Sequence, residues 1–205
     1  HIYGKNDMLN LLKGLADKIL PYAKPAWKFL NEQKKSGKSI MFEGAQGIML
    51  DIDNGTYPFV TSSNTATGQC FTGSGLGVCN IDHNIAIVKS YTTRVGEGPF
   101  PTELFDSTGR YLQEKGHEFG TVTGRDRRCG WIDLVSLKQM IDINGINSIA
   151  LTKLDVLSGL KTIKICTEYE ISGKKYDYLP ASQKLQNLAE PTYIETVSYT
   201  HLRAH

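Results

Sequence analysis

The chain has 205 residues, 40% of them apolar and 21% charged, with a net charge of +2, a composition able to bury one good-sized hydrophobic core. Charge so near neutral argues against nucleic acid as a partner, which calls for a basic stripe. No apolar run approaches the roughly 20 residues that span a membrane. The first residues, His1-Ile2-Tyr3-Gly4-Lys5-Asn6-Asp7, lack the basic start and apolar core of a signal peptide. Cys70, Cys79, Cys129 and Cys166 are far apart, with no C-x-x-C and no neighbouring His pair. Neither a zinc site nor a disulfide framework is therefore expected, and a reducing cytoplasm is the default location. The start at His1, with no initiator Met, points to a truncated or processed chain.

In chain order, apolar residues recur at helical spacing over 9–30, and Pro21 and Pro25 divide the stretch into two helical pieces. Residues 31–38 are polar, with Gly37 as a helix stop. Ser39-Ile40-Met41-Phe42 reads as a short buried strand running into the turn Glu43-Gly44-Ala45-Gln46-Gly47. Residues 51–77 are rich in Gly, Ser, Thr and Asn and read as one long loop, of the kind that serves a function or hides short elements. A helix is expected over 81–90, a strand over 91–95, a Gly/Pro loop over 96–101, a helix over 108–115 and a loop over 116–130. The spacing of Leu134, Val135, Leu137, Ile141 and Ile143 predicts a helix over 132–144. A strand over 146–151 ends in Thr152-Lys153-Leu154-Asp155, and 161–169 with 170–178 form a strand pair around Ser172-Gly173. Helices alternating with strands imply an α/β layer structure with a largely parallel sheet.

Four constellations carry chemistry. The turn Glu43-Gly44-Ala45-Gln46-Gly47 sets a polar side chain between glycines, where backbone can approach a ligand closely; alone it is as well read as a tight turn. Thr61-Ser62-Ser63-Asn64-Thr65 offers neutral donors suited to phosphate or ribose oxygens, or simply a solvated turn. Gly120-Thr121-Val122-Thr123-Gly124-Arg125-Asp126-Arg127-Arg128 combines three guanidinium groups with hydroxyls and flexible glycines, a pocket for carboxylate or phosphate gripped by two parallel hydrogen bonds. Thr152-Lys153-Leu154-Asp155 places an Asp that can accept from the two adjacent N–H groups on guanine's edge, a donor pair that adenine lacks. Gly37-Lys38-Ser39 is no P-loop, because Glu32 stands at the first Gly position. Gly73-Ser74-Gly75-Leu76-Gly77 lacks the dinucleotide spacing.

Taken together these stretches resemble the adenylosuccinate synthetase family. The resemblance includes Phe42-Glu43-Gly44-Ala45-Gln46-Gly47, Asp51-Ile52-Asp53-Asn54-Gly55-Thr56-Tyr57-Pro58 and Val60-Thr61-Ser62-Ser63-Asn64-Thr65. It continues through Thr93-Arg94-Val95-Gly96-Glu97-Gly98-Pro99-Phe100-Pro101-Thr102-Glu103-Leu104, the arginine loop, and Thr152-Lys153-Leu154-Asp155-Val156-Leu157. It extends over 1–195; residues 196–205 do not continue the pattern and are expected to be a non-native tail.

The resemblance implies a P-loop-NTPase-like α/β fold, with a largely parallel central sheet flanked by helices and incomplete at both ends. It implies GTP-dependent ligation of IMP and L-aspartate to adenylosuccinate, the first committed step from IMP to AMP, through 6-phosphoryl-IMP. By resemblance, IMP is met by Gln46, Thr61, Val95 and Arg125. Aspartate is met by Thr121, Val122, Thr123, Gly124, Arg125, Asp126 and Arg127, and GTP by Arg127, Lys153, Leu154 and Asp155. The Gly-rich phosphate-binding segment, the catalytic Asp and His, the Mg²⁺ ligands, an Arg that crosses the interface of a homodimer, and the last guanine-pocket loop are expected outside these residues. This chain alone is therefore expected to be inactive, with no catalytic or metal-binding residue of its own. Asp126 stands where the family carries Pro or Arg; it either pairs with Arg125 or Arg127 and weakens aspartate binding, or faces solvent. The rival readings are a non-catalytic GTP- or purine-nucleotide-binding protein and, less well matched, an ordinary P-loop GTPase sharing only Thr-Lys-x-Asp.

Overall fold

A computed structural model describes residues 4–120 and 124–197. The chain divides into two compact units, His1–Glu43 with Gly68–Asn80, and Gly44–Thr67 with Ile81–His205.

The first unit is helical. Helix α1 (Lys5–Ile19) runs into a short 3-10 turn, Leu20–Tyr22, and α2 (Ala26–Lys35) follows. The two prolines divide the helices as expected: Pro21 sits in the first turn of the 3-10 segment and Pro25 at the N-cap of α2, positions where a missing N–H costs nothing. Gly37, at φ 76, follows the last turn of α2 and supplies the helix stop. Helix α3 (Gln69–Ser74) is a short element inside the stretch read as loop. Its C-cap Gly75 has φ 70, and a Cβ there would lie 2.9 Å from the Trp27 Cβ, so backbone conformation and space both call for glycine.

Residues 38–45 form no regular element, which corrects the strand expected over 39–42. Met41 is 86% exposed and Phe42 38%; an apolar run becomes a strand only when a ladder partner takes its backbone groups, and none of the described residues does.

The second unit is mixed α/β. Strand β1 (Ile85–Lys89) pairs in parallel with β5 (Ser148–Thr152), Ile85 opposite Ser148 and Lys89 opposite Thr152. A helix was expected over 81–90; the β-branched Ile85, Ile87 and Val88 instead pair with a strand sixty residues on. Strand β2 (Thr92–Arg94) pairs antiparallel with β3 (Arg128–Gly130), which lies in the stretch expected to be loop. Helix α4 (Ser107–Gly116) agrees with the helix predicted over 108–115; its N-cap Asp106 accepts from the Thr108 and Gly109 amides at 2.9 and 3.1 Å. Strand β4 (Ile132–Asp133) precedes α5 (Leu134–Asn144), so the predicted helix starts two residues late, with Asp133 as its N-cap. β4 lies parallel to the long β6 (Thr162–Ile171), which pairs antiparallel with β7 (Lys174–Tyr176). Ser172 and Gly173 both take positive φ, 52° and 76°, and make the tight hairpin between them. After α6 (Gln183–Gln186), β8 (Glu190–Val197) returns antiparallel along the other edge of β6.

Two clusters fill this unit. Tyr91, Leu112, Cys129, Val156 and Leu157 form one beneath α4; Val135, Cys166, Tyr169, Ile171 and Leu179 form the other between α5 and the β6 sheet. All four cysteines are free. Among the described residues no helix is long and apolar enough to cross a membrane.

Candidate functional site

The loop at 44–67 is organised by one buried carboxylate. Asp51 accepts through Oδ1 from the Asp53 and Asn54 amides at 3.0 and 2.9 Å, and through Oδ2 from the Thr65 and Ala66 amides at 2.5 and 3.1 Å. Burial alone would raise its pKa; the four backbone donors outweigh burial and hold it far below the ordinary carboxylate range. The Gly47 carbonyl accepts from the Leu50 amide and the Thr65 hydroxyl, and the Leu50 carbonyl from the Thr61 amide at 2.7 Å. Gln46, exposed and held at φ 69, and Thr61 are thereby fixed to the same small scaffold. Positive φ is uncommon for a non-glycine residue and costs backbone strain.

Val95, half exposed, follows β2, and the loop after it is gripped by two arginines. Arg94 Nε donates to the Glu97 carbonyl at 2.9 Å, while Arg128 Nη1 donates to the Gly96 and Gly98 carbonyls at 3.1 and 2.9 Å. The other face of Arg128 makes a two-pronged ion pair with Glu103. Arg128 is thus spent on its own fold, although the sequence groups it with the two arginines before it.

Arg125 and Asp126 are exposed. Gly120 donates to the Arg125 carbonyl at 2.8 Å and Gly124 to the Gly120 carbonyl at 2.7 Å, which closes the loop at its base; Gly124 takes φ 62. Thr121, Val122 and Thr123 lie outside the described residues. Asp126 forms an isolated bridge with Phe119, and its carboxylate joins no ion pair among the described residues.

Arg127 is half-buried and belongs to a network that the sequence did not reveal. Its Nη1 donates to Glu118 Oε2 at 3.0 Å; the same carboxylate takes the Lys89 ammonium on both oxygens at 2.7 Å and the Tyr91 hydroxyl on Oε1 at 2.6 Å. Glu118 is 1% exposed. Burial would raise its pKa, and the donors from Lys89, Tyr91 and Arg127 prevail and hold it below its ordinary value. The Tyr91 hydroxyl is pushed the other way, by burial first and then by the Glu118 charge. Arg127 Nε is buried and has no hydrogen-bond partner among the described residues, an orphan donor of a kind that a folded protein rarely leaves.

Lys153 takes φ 63 and opens a short 3-10 turn, Leu154–Leu157, at the carboxyl end of β5. Its carbonyl accepts from Ser90 Oγ at 2.8 Å and its ammonium donates to the Gly116 carbonyl at 2.9 Å. Leu154 and Asp155 are exposed on that turn, while Val156 and Leu157 are buried beneath it. The turn at 116–118 therefore holds Lys153 through one carbonyl and Arg127 through one carboxylate. Glu118, Asp51 and Arg94 are the residues that sequence reading missed: the partners of Glu118 and most of those of Arg94 lie far along the chain, and the backbone amides that meet Asp51 carry no side-chain signal. Among the described residues no group of three or more His, Cys, Asp and Glu side chains is placed to hold a metal ion.

These observations define a mixed α/β protein, with a parallel strand pair, that carries an amide, hydroxyls, guanidinium groups and an exposed carboxylate on ordered loops. The family model for adenylosuccinate synthetase matches residues 2–203. The solved structure of fully ligated adenylosuccinate synthetase from Plasmodium falciparum is 41% identical, superposes with a TM-score of 0.92, and is matched over 98% of this chain and 48% of its own. A succinoaminodeoxyadenylate synthetase of cyanophage S-2L, bound to dGMP and dATP, is 24% identical over 62% of this chain and 41% of that one, with a TM-score of 0.47. The chain belongs to the adenylosuccinate synthetase family. It spans about half the length of the Plasmodium enzyme.

Proposed function

We propose that this chain carries the substrate-recognition part of a GTP-dependent ligase that joins IMP and L-aspartate into adenylosuccinate. In this reading the γ-phosphoryl group of GTP moves to the 6-oxygen of IMP, and the aspartate amine then displaces it as phosphate. Such a transfer depends on positioning and charge neutralisation more than on covalent help from the protein. Gln46, Thr61, Val95 and Arg125 meet IMP; the loop at 121–127 receives aspartate; Arg127, Lys153, Leu154 and Asp155 meet GTP, with Asp155 accepting from the paired N–H groups of guanine.

The observation that supports the reading best is the shared turn at 116–118. Arg127 and Lys153, the two cations assigned to GTP, are distant in sequence, yet Glu118 holds the first and the Gly116 carbonyl the second. The orphan Nε of Arg127 leaves a donor for an acceptor that the described residues do not supply. No step is assigned to magnesium here; this reading places its ligands, and the general base, outside these residues. A homodimer in the cytoplasm belongs to the same reading, the location supported by four unpaired cysteines.

Calorimetric titration of the chain with IMP, L-aspartate and GDP tests recognition, with ADP and L-glutamate as controls. Binding no tighter than to the controls would overturn the reading. Incubation with IMP, aspartate, GTP and Mg²⁺ tests the division of labour: the chain alone is expected to form no adenylosuccinate, and turnover would show that base and metal ligands lie within it.

A further inference from the structure

Arg94 is a cation with no assigned task and no carboxylate. Its Nε donates to the Glu97 carbonyl, and its Nη2 donates to Thr56 Oγ1 at 2.8 Å and to the Phe59 carbonyl at 3.1 Å. Among the described residues it joins no ion pair, and Arg128, another guanidinium, stands opposite it in the β2–β3 pair. Burial first, and then Arg128, lower its pKa. A half-buried cation held by neutral oxygens alone is a costly way to fasten a loop. What it fastens is specific. Thr56 is buried and belongs to the scaffold that fixes Thr61, whereas Glu97 lies two residues beyond Val95. The guanidinium lies close under the 96–98 loop: Gly98, whose φ of 108 itself calls for glycine, has no room for a Cβ, which would collide with Arg94 Nη2 and lie 2.8 Å from the Phe59 Cβ.

We infer that Arg94 is a positioning residue for IMP, a bracket that sets the separation between the segment bearing Thr61 and the segment bearing Val95. The inference rests on the reading above that these two segments meet IMP. Arg94 need not touch the nucleotide. With the bracket removed, each segment keeps its own local hydrogen bonds but the two lose their common spacing, and a nucleotide spanning both loses affinity. The guanine side, held by Ser90, Gly116 and Glu118, is built without Arg94.

The test uses the ¹⁵N-labelled chain and two variants, Arg94→Gln, which removes the charge, and Arg94→Lys, which keeps the charge but not the fork that reaches both segments. In the absence of ligand, amide signals of residues 56–61 and 95–98 should move together in both variants. IMP affinity should fall roughly ten- to a hundredfold, the size expected of a misplaced contact, while GDP affinity stays within about twofold. IMP and GDP affinities falling in parallel would show general damage and overturn the inference, as would an unchanged IMP affinity. A parent chain that binds GDP but not IMP would remove the IMP reading itself, and the bracket with it, before any variant is made.

Discussion

Arg94 and Arg128 stand directly opposite each other in the β2–β3 pair, a placement of like charges that a sheet ordinarily disfavours. The sheet tolerates it because Arg128 is neutralised by Glu103 and lies 5.4 Å from the centre of the Phe100 ring, while carbonyls share the rest of the load. Glu103→Gln should therefore cost about 2–4 kcal/mol, through an unpaired half-buried charge and the exposed repulsion between the two arginines. Urea unfolding at low and high salt measures it. The loss should shrink at high salt, since repulsion between partly exposed charges is screened; an equal loss at both would mean that repulsion plays no part.

Acid should unfold the chain through Glu118 and Asp51. Both are held below their ordinary values, 4.5 and 3.8, so the folded chain binds these two protons less readily than the unfolded one. Their stabilisation is complete above those values and is lost as pH falls through them toward the lower folded values. Asp133 works in the opposite sense: burial raises its pKa despite the Tyr169 and Ser136 donors, so its contribution is greatest at low pH. Thermal midpoints should be flat from neutrality to about pH 5 and fall below that. Glu118→Gln should lower the plateau and flatten the first part of the fall; Asp133→Asn should steepen it. A midpoint that ignores pH between 5 and 3 would remove both carboxylates from the account.

Legibility in the sequence followed the range of the interactions. The hairpin at Ser172-Gly173 and the break at Pro21 and Pro25 rest on turn and proline chemistry within a few residues, the helix expected over 108–115 is local too, and the structure has all three. The stretch 81–90 was misread because a short apolar run has no period that separates helix from strand; its partner β5 is far along the chain. The run at 39–42 was misread for the complementary reason, an apolar pattern with no ladder to join. At the site, Lys153 and Asp155 are legible as a compact motif at a strand end. Glu118 is not, because Lys89, Tyr91 and Arg127 lie 29, 27 and 9 residues away. Arg128 shows the converse: adjacent in sequence to Arg127, it faces Glu103 and the 96–98 loop.

Asp155 lies exposed on a turn anchored by the buried Val156 and Leu157, so its side chain can be changed without disturbing the core. Asp155→Asn should weaken GDP binding and favour xanthosine diphosphate, because an amide donates to the 2-oxo group of xanthine where the carboxylate accepts from guanine. Losing hydrogen bonds to a charged acceptor is worth about 1.5–3 kcal/mol, or roughly ten- to a hundredfold in affinity. Competition between the two diphosphates for the chain reads the ratio directly. An unchanged ratio would mean that Asp155 does not read the base.

The arginine loop gives the sharpest contrast between neighbours. Among the described residues, Arg127 is tied to Glu118 and keeps a buried, unmatched Nε, whereas Asp126 beside it is exposed and joins no ion pair. Arg127→Lys preserves charge, and the ammonium can still meet Glu118, but the planar two-pronged grip is gone. Aspartate and GDP affinities should both fall, each by about 1.5–3 kcal/mol; Arg125→Lys should weaken aspartate and IMP and spare GDP. Asp126→Pro should do neither. The amides that close this loop against its base belong to Gly120, Gly124 and Arg127, not Asp126, so proline removes no donor used there. Its carboxylate joins no ion pair among the described residues, and aspartate affinity should stay within about twofold of the parent. Titrating aspartate into the chain with IMP and GDP present compares the three variants under one condition. Tighter aspartate binding in Asp126→Pro would show that Asp126 draws on Arg125 or Arg127 once ligand arrives. Arg125→Lys and Arg127→Lys both matching the parent would reduce the loop to a solvated surface run.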